Sequence, residues 1–212
     1  MGMGTTGSNI ADFLLQIQAV KLQPKQPFKW ASGWNSPIYC DNRITLSHPR
    51  IRTYIRQELV KVIDEKFGTP DVIAGVATGA IAHGVLVAEA MGLPFVYVRA
   101  AAKDHGRQNL IEGEIGANQT CVVIEDLIST GQSSLKAVQA LREKGVLVKG
   151  MISIFNYGFD VAQEAFRLAN CPLYSLSNYD LLIDQALKNG YVNNSDLENL
   201  KKWRENPSAW SI

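Results

Sequence analysis

The sequence predicts one α/β domain built on a mainly parallel, twisted sheet that helices cover on both faces. From residue 72 onward, short apolar runs alternate with segments of helical spacing, and polar or glycine-bearing turns separate them. Such alternation favours a parallel sheet, because the crossover helices must pack on its faces. With 212 residues, 46% of them hydrophobic, the chain has the length and composition of a single domain with its own core.

The residues before this alternation are predicted to form two helices around an irregular segment. Residues 10–20 carry apolar side chains at helical spacing, and Ser8 or Asn9 would cap that helix. Residues 24–48 mix prolines, a glycine, aromatics and short extended runs, a pattern typical of short strands and loops. Residues 49–67 form the second predicted helix, since a proline at its start suits a first helical turn.

The alternating part supplies the remaining elements in order. Strands are predicted over residues 72–77, 94–98, 121–124, 146–155 and 173–176, and helices over residues 81–91, 135–144 and 160–169 with two more at the C-terminus. Residues 101–119 are predicted as a polar, glycine-bearing loop. Because long loops are uncommon in compact domains, a connection of this length is typical of an active-site lid.

Composition excludes several classes of function. A net charge of +1 provides no global field that would attract nucleic acid or a membrane surface. No apolar stretch is long enough to span a bilayer, and the N-terminus lacks the layout of a signal peptide. Cys40, Cys121 and Cys171 are too few and too far apart for a disulfide framework or a zinc site. We therefore expect a reducing, cytoplasmic location.

The most informative segment is residues 121–134. An apolar run stops at Glu125 and Asp126, a loop with Ser129, Thr130 and Gly131 follows, and helical spacing begins shortly after. Ligands of open α/β sheets bind at the carboxyl ends of strands, where a helix N-terminus offers free N–H groups to an anion. The loop is therefore predicted to hold a phosphate and the carboxylates to face hydroxyls or a cation, as a sugar phosphate requires. The alternative is a strand ending in a solvated acidic turn.

This segment resembles the phosphoribosyl-diphosphate (PRPP) binding motif of type I phosphoribosyltransferases. Residues 27–43 are similar to the N-terminal signature of the orotate-specific members, and residues 99–106 resemble their mobile catalytic loop. The resemblance implies a type I phosphoribosyltransferase-like fold over residues 1–212 as one domain. In it, elements at about 8–48 and about 177–212 form a small hood, and the core spans about 49–176.

By this resemblance, the chain transfers the phosphoribosyl group of PRPP to orotate, with release of pyrophosphate and formation of orotidine 5′-phosphate in pyrimidine (UMP) synthesis. Lys103, His105 and Asp126 are the implied catalytic residues. The implied substrate-binding residues are Arg99, Lys103, His105, Glu125, Asp126, Leu127, Ile128, Ser129, Thr130, Gly131, Gln132 and Ser133. Mg²⁺ is the implied cofactor, held mainly by substrate oxygens and not by a protein cage. The implied assembly is a homodimer in which Arg99 reaches the neighbouring site, with no nucleic acid or membrane partner.

The chain departs from the family pattern at three positions. Ala31 and Ala100 stand where many members carry lysine, and Asn156 stands where some carry an orotate-binding arginine. Phe28, Ile38 and Tyr39 are candidates to wall a flat pyrimidine ring, or they pack in the hood core.

Two other functions are alternatives to phosphoribosyl transfer to orotate. A purine or xanthine phosphoribosyltransferase would keep the motif at residues 125–134 but would not be expected to keep the signature at residues 28–43. A PRPP-sensing regulator that binds nucleic acid should show a basic face or an added winged-helix segment.

Overall fold

The computed structural model describes residues 3–30, 33–99 and 110–210 and has a six-stranded sheet at its centre. The strands lie in the order β10-β9-β8-β5-β6-β7, and every neighbouring pair is parallel except β6 with β7. Two separate two-stranded antiparallel sheets, β1 with β4 and β2 with β3, form in the N-terminal segment. The predicted mainly parallel sheet is confirmed.

The described helices and strands have the following bounds. The helices are α1 (Met3–Gln16), α2 (Pro49–Phe67), α3 (Ile81–Met91), α4 (Gln132–Glu143), α5 (Asp160–Leu168), α6 (Tyr179–Lys188) and α7 (Asn194–Glu205), with a 3-10 helix at Asn42–Ser47. The strands are β1 (Val20–Leu22), β2 (Phe28–Lys29), β3 (Asn35–Ser36), β4 (Ile38–Cys40), β5 (Val72–Val76), β6 (Phe95–Val98), β7 (Ile111–Glu112), β8 (Thr120–Ile128), β9 (Leu147–Asn156) and β10 (Leu173–Asn178). None of the described helices has both the length and the apolarity needed to cross a bilayer.

Helices α2 and α3 begin and end at the predicted residues, but the first helix does not. It starts at Met3 and ends at Gln16, and the chain then turns through Gln18, whose φ of 55° is left-handed, into β1. Tertiary packing explains the early start: the Gly7 carbonyl accepts a hydrogen bond from the Ser177 hydroxyl at 2.8 Å. A side chain at Gly7 would collide with Leu181, so glycine permits the contact although it is a poor helix former.

Two further predictions, one of a strand and one of a loop, were also wrong in extent. Strand β8 does not stop at the carboxylates but continues to Ile128, because Leu127 and Ile128 pair with the end of β9. The predicted long loop is interrupted by β7, where Ile111 pairs with Val98 of β6. Both pairings depend on a neighbouring strand, which hydrophobic spacing within the segment does not reveal.

The two faces of the sheet build two hydrophobic layers. Alternate residues of β8 point to opposite faces: Val122 and Ile124 join the layer under α1, α2, α3 and α6, whereas Cys121 and Val123 join the layer under α4 and α5. All four side chains are fully buried. This double burial explains why β8 has a continuous apolar run instead of alternation.

The two parts of the chain that are predicted to form the hood meet where the N-terminal segment contacts the C-terminal helix α7. Trp203 of α7 is fully buried and donates its Nε1–H to the Asn35 carbonyl at 3.1 Å. Its ring packs against Trp30, Tyr157 and Phe159 with centroid distances of 5.5, 5.8 and 5.5 Å. These contacts join the two ends of the chain above the end of β9.

The proposed division into hood and core remains a prediction, but its C-terminal boundary falls inside a strand. Residue 177 belongs to β10, and Ser177 and Asn178 pair with Phe155 and Asn156 of the central sheet. The C-terminal hood element therefore follows β10 directly, beginning with α6.

Replacement of Trp203 by alanine should lower the free energy of unfolding by about 3–5 kcal/mol, the usual cost of removing a fully buried large aromatic. Urea denaturation followed by circular dichroism would measure this loss. Leu168→Ala is the matched control, because Leu168 is 65% exposed and its loss should cost less than about 0.5 kcal/mol. Equal losses in the two variants would contradict the role assigned to Trp203.

Candidate functional site

The carboxyl ends of three parallel strands bring the predicted site residues to one edge of the sheet. The turn after β5 contains Gly79, Arg99 directly follows β6, and β8 carries Glu125 and Asp126 near its end. The segment after β8, residues 129–133, is called the phosphate loop below. Because parallel strands end at the same edge, these residues lie along one edge of the sheet.

The phosphate loop has the geometry expected of an anion site. Gly131 has φ 77°, and a Cβ there would lie 2.8 Å from the Phe166 ring, so the position requires glycine. Helix α4 starts at Gln132 and no side chain caps it, although Ser129 and Thr130 are residue types that could. Its first N–H groups are therefore available to an anion, and the helix dipole favours negative charge there.

Glu125 is held under α4. Its Oε2 accepts a hydrogen bond from the Ser134 hydroxyl at 2.7 Å, and its Oε1 accepts one from the Asp126 backbone N–H at 3.0 Å. The side chain is 5% exposed. Burial, together with the negative charge of Asp126, raises the pKa of Glu125 to about 8. This shift favours the protonated form of Glu125 at neutral pH.

Asp126 faces the opposite side of the sheet, because consecutive strand residues alternate. Its carboxylate lies against the turn after β5, where a Cβ on Gly79 would overlap it. Burial also raises the pKa of Asp126, while hydrogen bonding and the charge of Arg43 oppose that shift. The two carboxylates, which were both expected to face a ligand, therefore lie in different environments. Asp126 is partly exposed, whereas Glu125 is enclosed.

A buried chain of hydrogen bonds ties Asp126 to the 3-10 helix. Asn42 donates its Nδ2–H to the Asp126 carbonyl at 2.6 Å, and Thr45 donates its hydroxyl to the Asn42 carbonyl at 2.5 Å. His83 Nε2 lies 3.0 Å from the Thr45 hydroxyl oxygen. Since that hydroxyl already donates to Asn42, His83 must donate through Nε2–H. Burial lowers the pKa of His83 to about 4, which keeps the ring neutral.

A cavity of about 550 Å³ adjoins the phosphate loop under the hood. Aromatic, polar and aliphatic side chains line it, together with one cation. The lining residues are Lys29, Trp30, Trp34, Tyr39, Cys40, Leu127, Ser129, Thr130, Gln132 and Tyr157. Its volume suits a small planar ligand, and its aromatic walls suit an unsaturated ring.

The structure places most of the predicted residues at this edge but not all. Lys103 and His105 lie outside the described residues. Arg99 lies at the edge, with its Nη1 3.5 Å from Glu112 Oε1. The Ile128 side chain is fully buried in the layer under α4 and α5, so any ligand contact there would involve the backbone.

The remaining predicted residues divide between the cavity and the exposed start of α4. Leu127, Ser129, Thr130 and Gln132 line the cavity. Ser133 is exposed in the first turn of α4.

Several residues of the site had not been predicted. Of the three expected ring-wall residues, Tyr39 lines the cavity, whereas Ile38 is fully buried in the core. Trp30, Trp34 and Tyr157 supply the other walls. They come from distant segments without a shared periodicity, so no sequence signal grouped them.

Glu125→Gln should change how stability depends on pH. The folded protein holds the Glu125 proton up to about pH 8, whereas the unfolded chain releases it near pH 4.3, about the usual value for glutamate. The folded state thus binds more protons in this interval, and the stability of the wild type falls as pH rises through it. Because glutamine does not ionise, the variant should gain about 1–3 kcal/mol relative to wild type between about pH 5 and about pH 8.5.

Urea titrations at these pH values would measure that difference, with Glu89→Gln on the exposed face of α3 as the matched control. Parallel pH profiles for wild type and Glu125→Gln would show that the Glu125 proton is not retained on folding.

Comparisons with known proteins agree with this geometry. The family model for the phosphoribosyl transferase domain matches residues 45–163. The chain is 54% identical over 210 residues to the orotate phosphoribosyltransferase of Porphyromonas gingivalis, covering 99% of this chain and all of the relative. It is 56% identical over 208 residues to the orotate phosphoribosyltransferase of Phocaeicola vulgatus, covering 98% of each.

A solved structure leads to the same family. The crystal structure of orotate phosphoribosyltransferase from Aeropyrum pernix superposes with a TM-score of 0.75 at 26% identity, over 87% of this chain and 99% of that one. The phosphate loop, the acid pair and these full-length similarities lead to one conclusion: the chain belongs to the phosphoribosyl transferase family and, within it, to the orotate phosphoribosyltransferases.

Proposed function

We propose that this protein transfers the phosphoribosyl group of PRPP to orotate, releasing pyrophosphate and forming orotidine 5′-phosphate in pyrimidine synthesis. The observation that carries the proposal is the placement of an uncapped helix N-terminus beside an aromatic cavity, at the end of the strand that carries Asp126. A sugar phosphate and a flat base would then meet at one edge of the sheet. Relatives above 50% identity share this activity by name, which disfavours the purine enzyme and the regulator.

To the phosphate loop we assign the binding of the 5′-phosphate of PRPP. Backbone N–H groups at the start of α4 and the hydroxyls of Ser129, Thr130 and Ser133 are donors at the correct edge of the sheet. Gly131 lets the backbone approach the anion closely. Anchoring the phosphate fixes the position of the ribose relative to the cavity.

To Asp126 we assign the binding and stabilisation of the ribose. In the reaction the bond from C1′ to the diphosphate oxygen breaks and its electron pair leaves with pyrophosphate. A ring nitrogen of orotate forms the new bond to C1′ and gives up its proton, which balances the proton delivered to the departing oxygen. The transition state therefore carries positive charge on the ribose. Ionised Asp126 would stabilise this charge and accept hydrogen bonds from ribose hydroxyls, whereas protonated Glu125 holds the start of α4 through Ser134.

To the cations near residue 103 we assign the neutralisation of the leaving group, pyrophosphate. Lys103 supplies a compact positive charge for pyrophosphate, and His105 supplies a proton to the departing oxygen, a contribution worth about 10²–10⁴-fold. Arg99 would reach the neighbouring site in a homodimer. The support for these roles is the family resemblance and the position of Arg99 at the site edge.

Mg²⁺ is proposed to enter with PRPP. This ion takes oxygen ligands and usually binds through one or two carboxylates together with phosphates and water. Asp126, a partly exposed carboxylate beside the phosphate loop, fits such a site as a single protein ligand. Most of the ligands would be substrate oxygens, whose charge the ion would neutralise.

A cytoplasmic location and a single domain over residues 1–212 complete the proposal. Cys40, Cys121 and Cys171 are all free thiols, as expected of a protein kept in a reducing compartment. Burial and the nearby Asp126 and Asp41 raise the pKa of Cys40, so this cavity residue is not a thiolate nucleophile.

A base-specificity assay tests the function directly. Purified protein with Mg²⁺ and PRPP should convert orotate, and not hypoxanthine, xanthine or adenine, to nucleotide and pyrophosphate. Lys103→Ala should lower kcat by about 10²–10³-fold, since a group that stabilises developing charge is removed. Lys188→Ala, at an exposed lysine of α6, is the control and should retain full activity.

Two results of that assay would overturn the assignments. Turnover of a purine in place of orotate would refute the substrate, and full activity in Lys103→Ala would refute the role of the loop. Binding of PRPP without turnover of any base would instead favour the regulator.

Gly79→Ala should reduce kcat/KM by about 10- to 100-fold, because a methyl group at this position displaces the Asp126 carboxylate from the ribose site. Gly116→Ala is the matched control: the φ of Gly116 is not left-handed, and a Cβ there would meet its nearest neighbour at an ordinary 3.4 Å. Steady-state kinetics with thermal unfolding would separate lost activity from lost folding. Unchanged kinetics in Gly79→Ala would show that Asp126 does not act from its observed position.

A further inference from the structure

The cavity beside the phosphate loop has an uneven distribution of charge. Of the residues that the structure describes in its lining, only Lys29 carries a formal charge. The aromatic rings of Trp30, Trp34, Tyr39 and Tyr157 supply most of the remaining wall. A ligand that fills this space meets flat apolar surfaces and a single cation, so the complementary ligand is a planar ring with one anionic substituent.

Two arginines near the hood, Arg43 and Arg204, are already engaged. The Arg43 guanidinium donates to both carboxylate oxygens of Asp41, at 2.7 and 2.8 Å. Arg204 donates to the Tyr157 and Gly158 carbonyls at 3.4 and 3.1 Å, and it also lies 3.6 Å from Asp180. By contrast, no carboxylate of the described residues lies within ion-pair distance of Lys29.

The backbone around Lys29 holds it at the cavity. Lys29 ends β2 and pairs with Asn35 of β3. The next residue, Trp30, donates its backbone N–H to the Trp34 carbonyl at 2.9 Å and its ring N–H to the Ile38 carbonyl at 3.1 Å. These bonds fix the backbone at the rim, while the lysine side chain keeps its freedom to meet a ligand.

Asn156 does not supply a competing contact to the cavity. Its side-chain oxygen accepts the Gly158 N–H at 2.8 Å, which closes the turn after β9. Asn156 is absent from the cavity lining and instead lines a separate depression with Arg167 and Asn178. Among the described residues, the positive charge nearest to an anionic ring in this cavity is therefore that of Lys29, on the hood side.

We propose that Lys29 binds the carboxylate of orotate and thereby determines the preference for orotate over uncharged pyrimidines. The inference rests on the proposed function and names the residue that selects its substrate. Orotate differs from uracil by one ring carboxylate, and a lysine ammonium is a compact point charge that such a group would attract. The ring would lie between the aromatic walls, with its reactive nitrogen directed toward the phosphate loop and the ribose.

The test compares Lys29→Gln with wild type at saturating PRPP. The variant should lower kcat/KM for orotate by about 10- to 100-fold, the usual effect of losing one charge-assisted hydrogen bond. The KM for PRPP should stay within about twofold, because the phosphate loop is untouched. Lys25→Gln is the matched control, since Lys25 is an exposed lysine of the same segment outside the cavity lining.

A neutral analogue separates charge recognition from pocket shape. Methyl orotate, which keeps the ring but has no carboxylate charge, should inhibit wild type and Lys29→Gln with the same inhibition constant. Quenching of the tryptophan fluorescence of Trp30 and Trp34 provides a binding readout independent of turnover.

The possible outcomes distinguish the proposals. An unchanged KM for orotate in Lys29→Gln would overturn the assignment of Lys29. Equal weakening of orotate and methyl orotate would overturn it too, because Lys29 would then shape the pocket and not read charge. Failure of the wild type to convert orotate would instead refute the proposed function itself.

Discussion

The position of two consecutive carboxylates on an interior strand is the constraint on which the site depends. Strand β8 lies between β5 and β9 and remains paired through Glu125 and on to Ile128. A paired strand must send neighbouring side chains to opposite faces, so the two acids cannot share one environment. Glu125 lies beneath α4, where Ser134 binds it, and Asp126 lies against the space that Gly79 leaves free. The fold thus places one acid of the dipeptide in a buried environment and leaves the other partly exposed.

The hood is joined to this strand by polar contacts as well as by packing. The Asn42 amide binds the backbone carbonyl of Asp126, and Thr45 and neutral His83 continue the chain into α3. Because these groups are buried, each unsatisfied polar atom would cost about 1–3 kcal/mol, which favours one arrangement of the 3-10 helix over its alternatives. The segment that carries Trp30 and Tyr39 is therefore held in a fixed relation to Asp126.

The sequence predicted those parts of the protein that depend on local signals. Proline at the start of α2 and the continuous apolar run of β5 placed these elements correctly, and the apolar run of β8 placed its beginning. The phosphate loop was predicted because strand, acids, hydroxyls and glycine follow one another within fourteen residues of the chain. The start of α1, strand β7 and the last residues of β8 were missed because each depends on a partner elsewhere in the fold. A single histidine in a helix carries no functional signal in the sequence, and the link of His83 to Asp126 through Thr45 and Asn42 emerges only from the tertiary structure.

A nearly neutral chain recognises highly charged substrates through groups that contact them directly. With a net charge of +1, long-range attraction contributes little, and the Debye length of about 8 Å at physiological ionic strength limits it further. Anions must instead be bound by groups at short range: N–H donors at the start of α4 for a phosphate, and Lys29 in an aromatic wall for a carboxylate. These donors lie on separate elements: the phosphate donors lie where β8 leads into α4, and Lys29 lies on the hood strand β2. Because the two places are separate, an anion can bind at one of them without competing for the other. The near absence of net charge then favours selectivity, since no global field attracts anions that fit neither place.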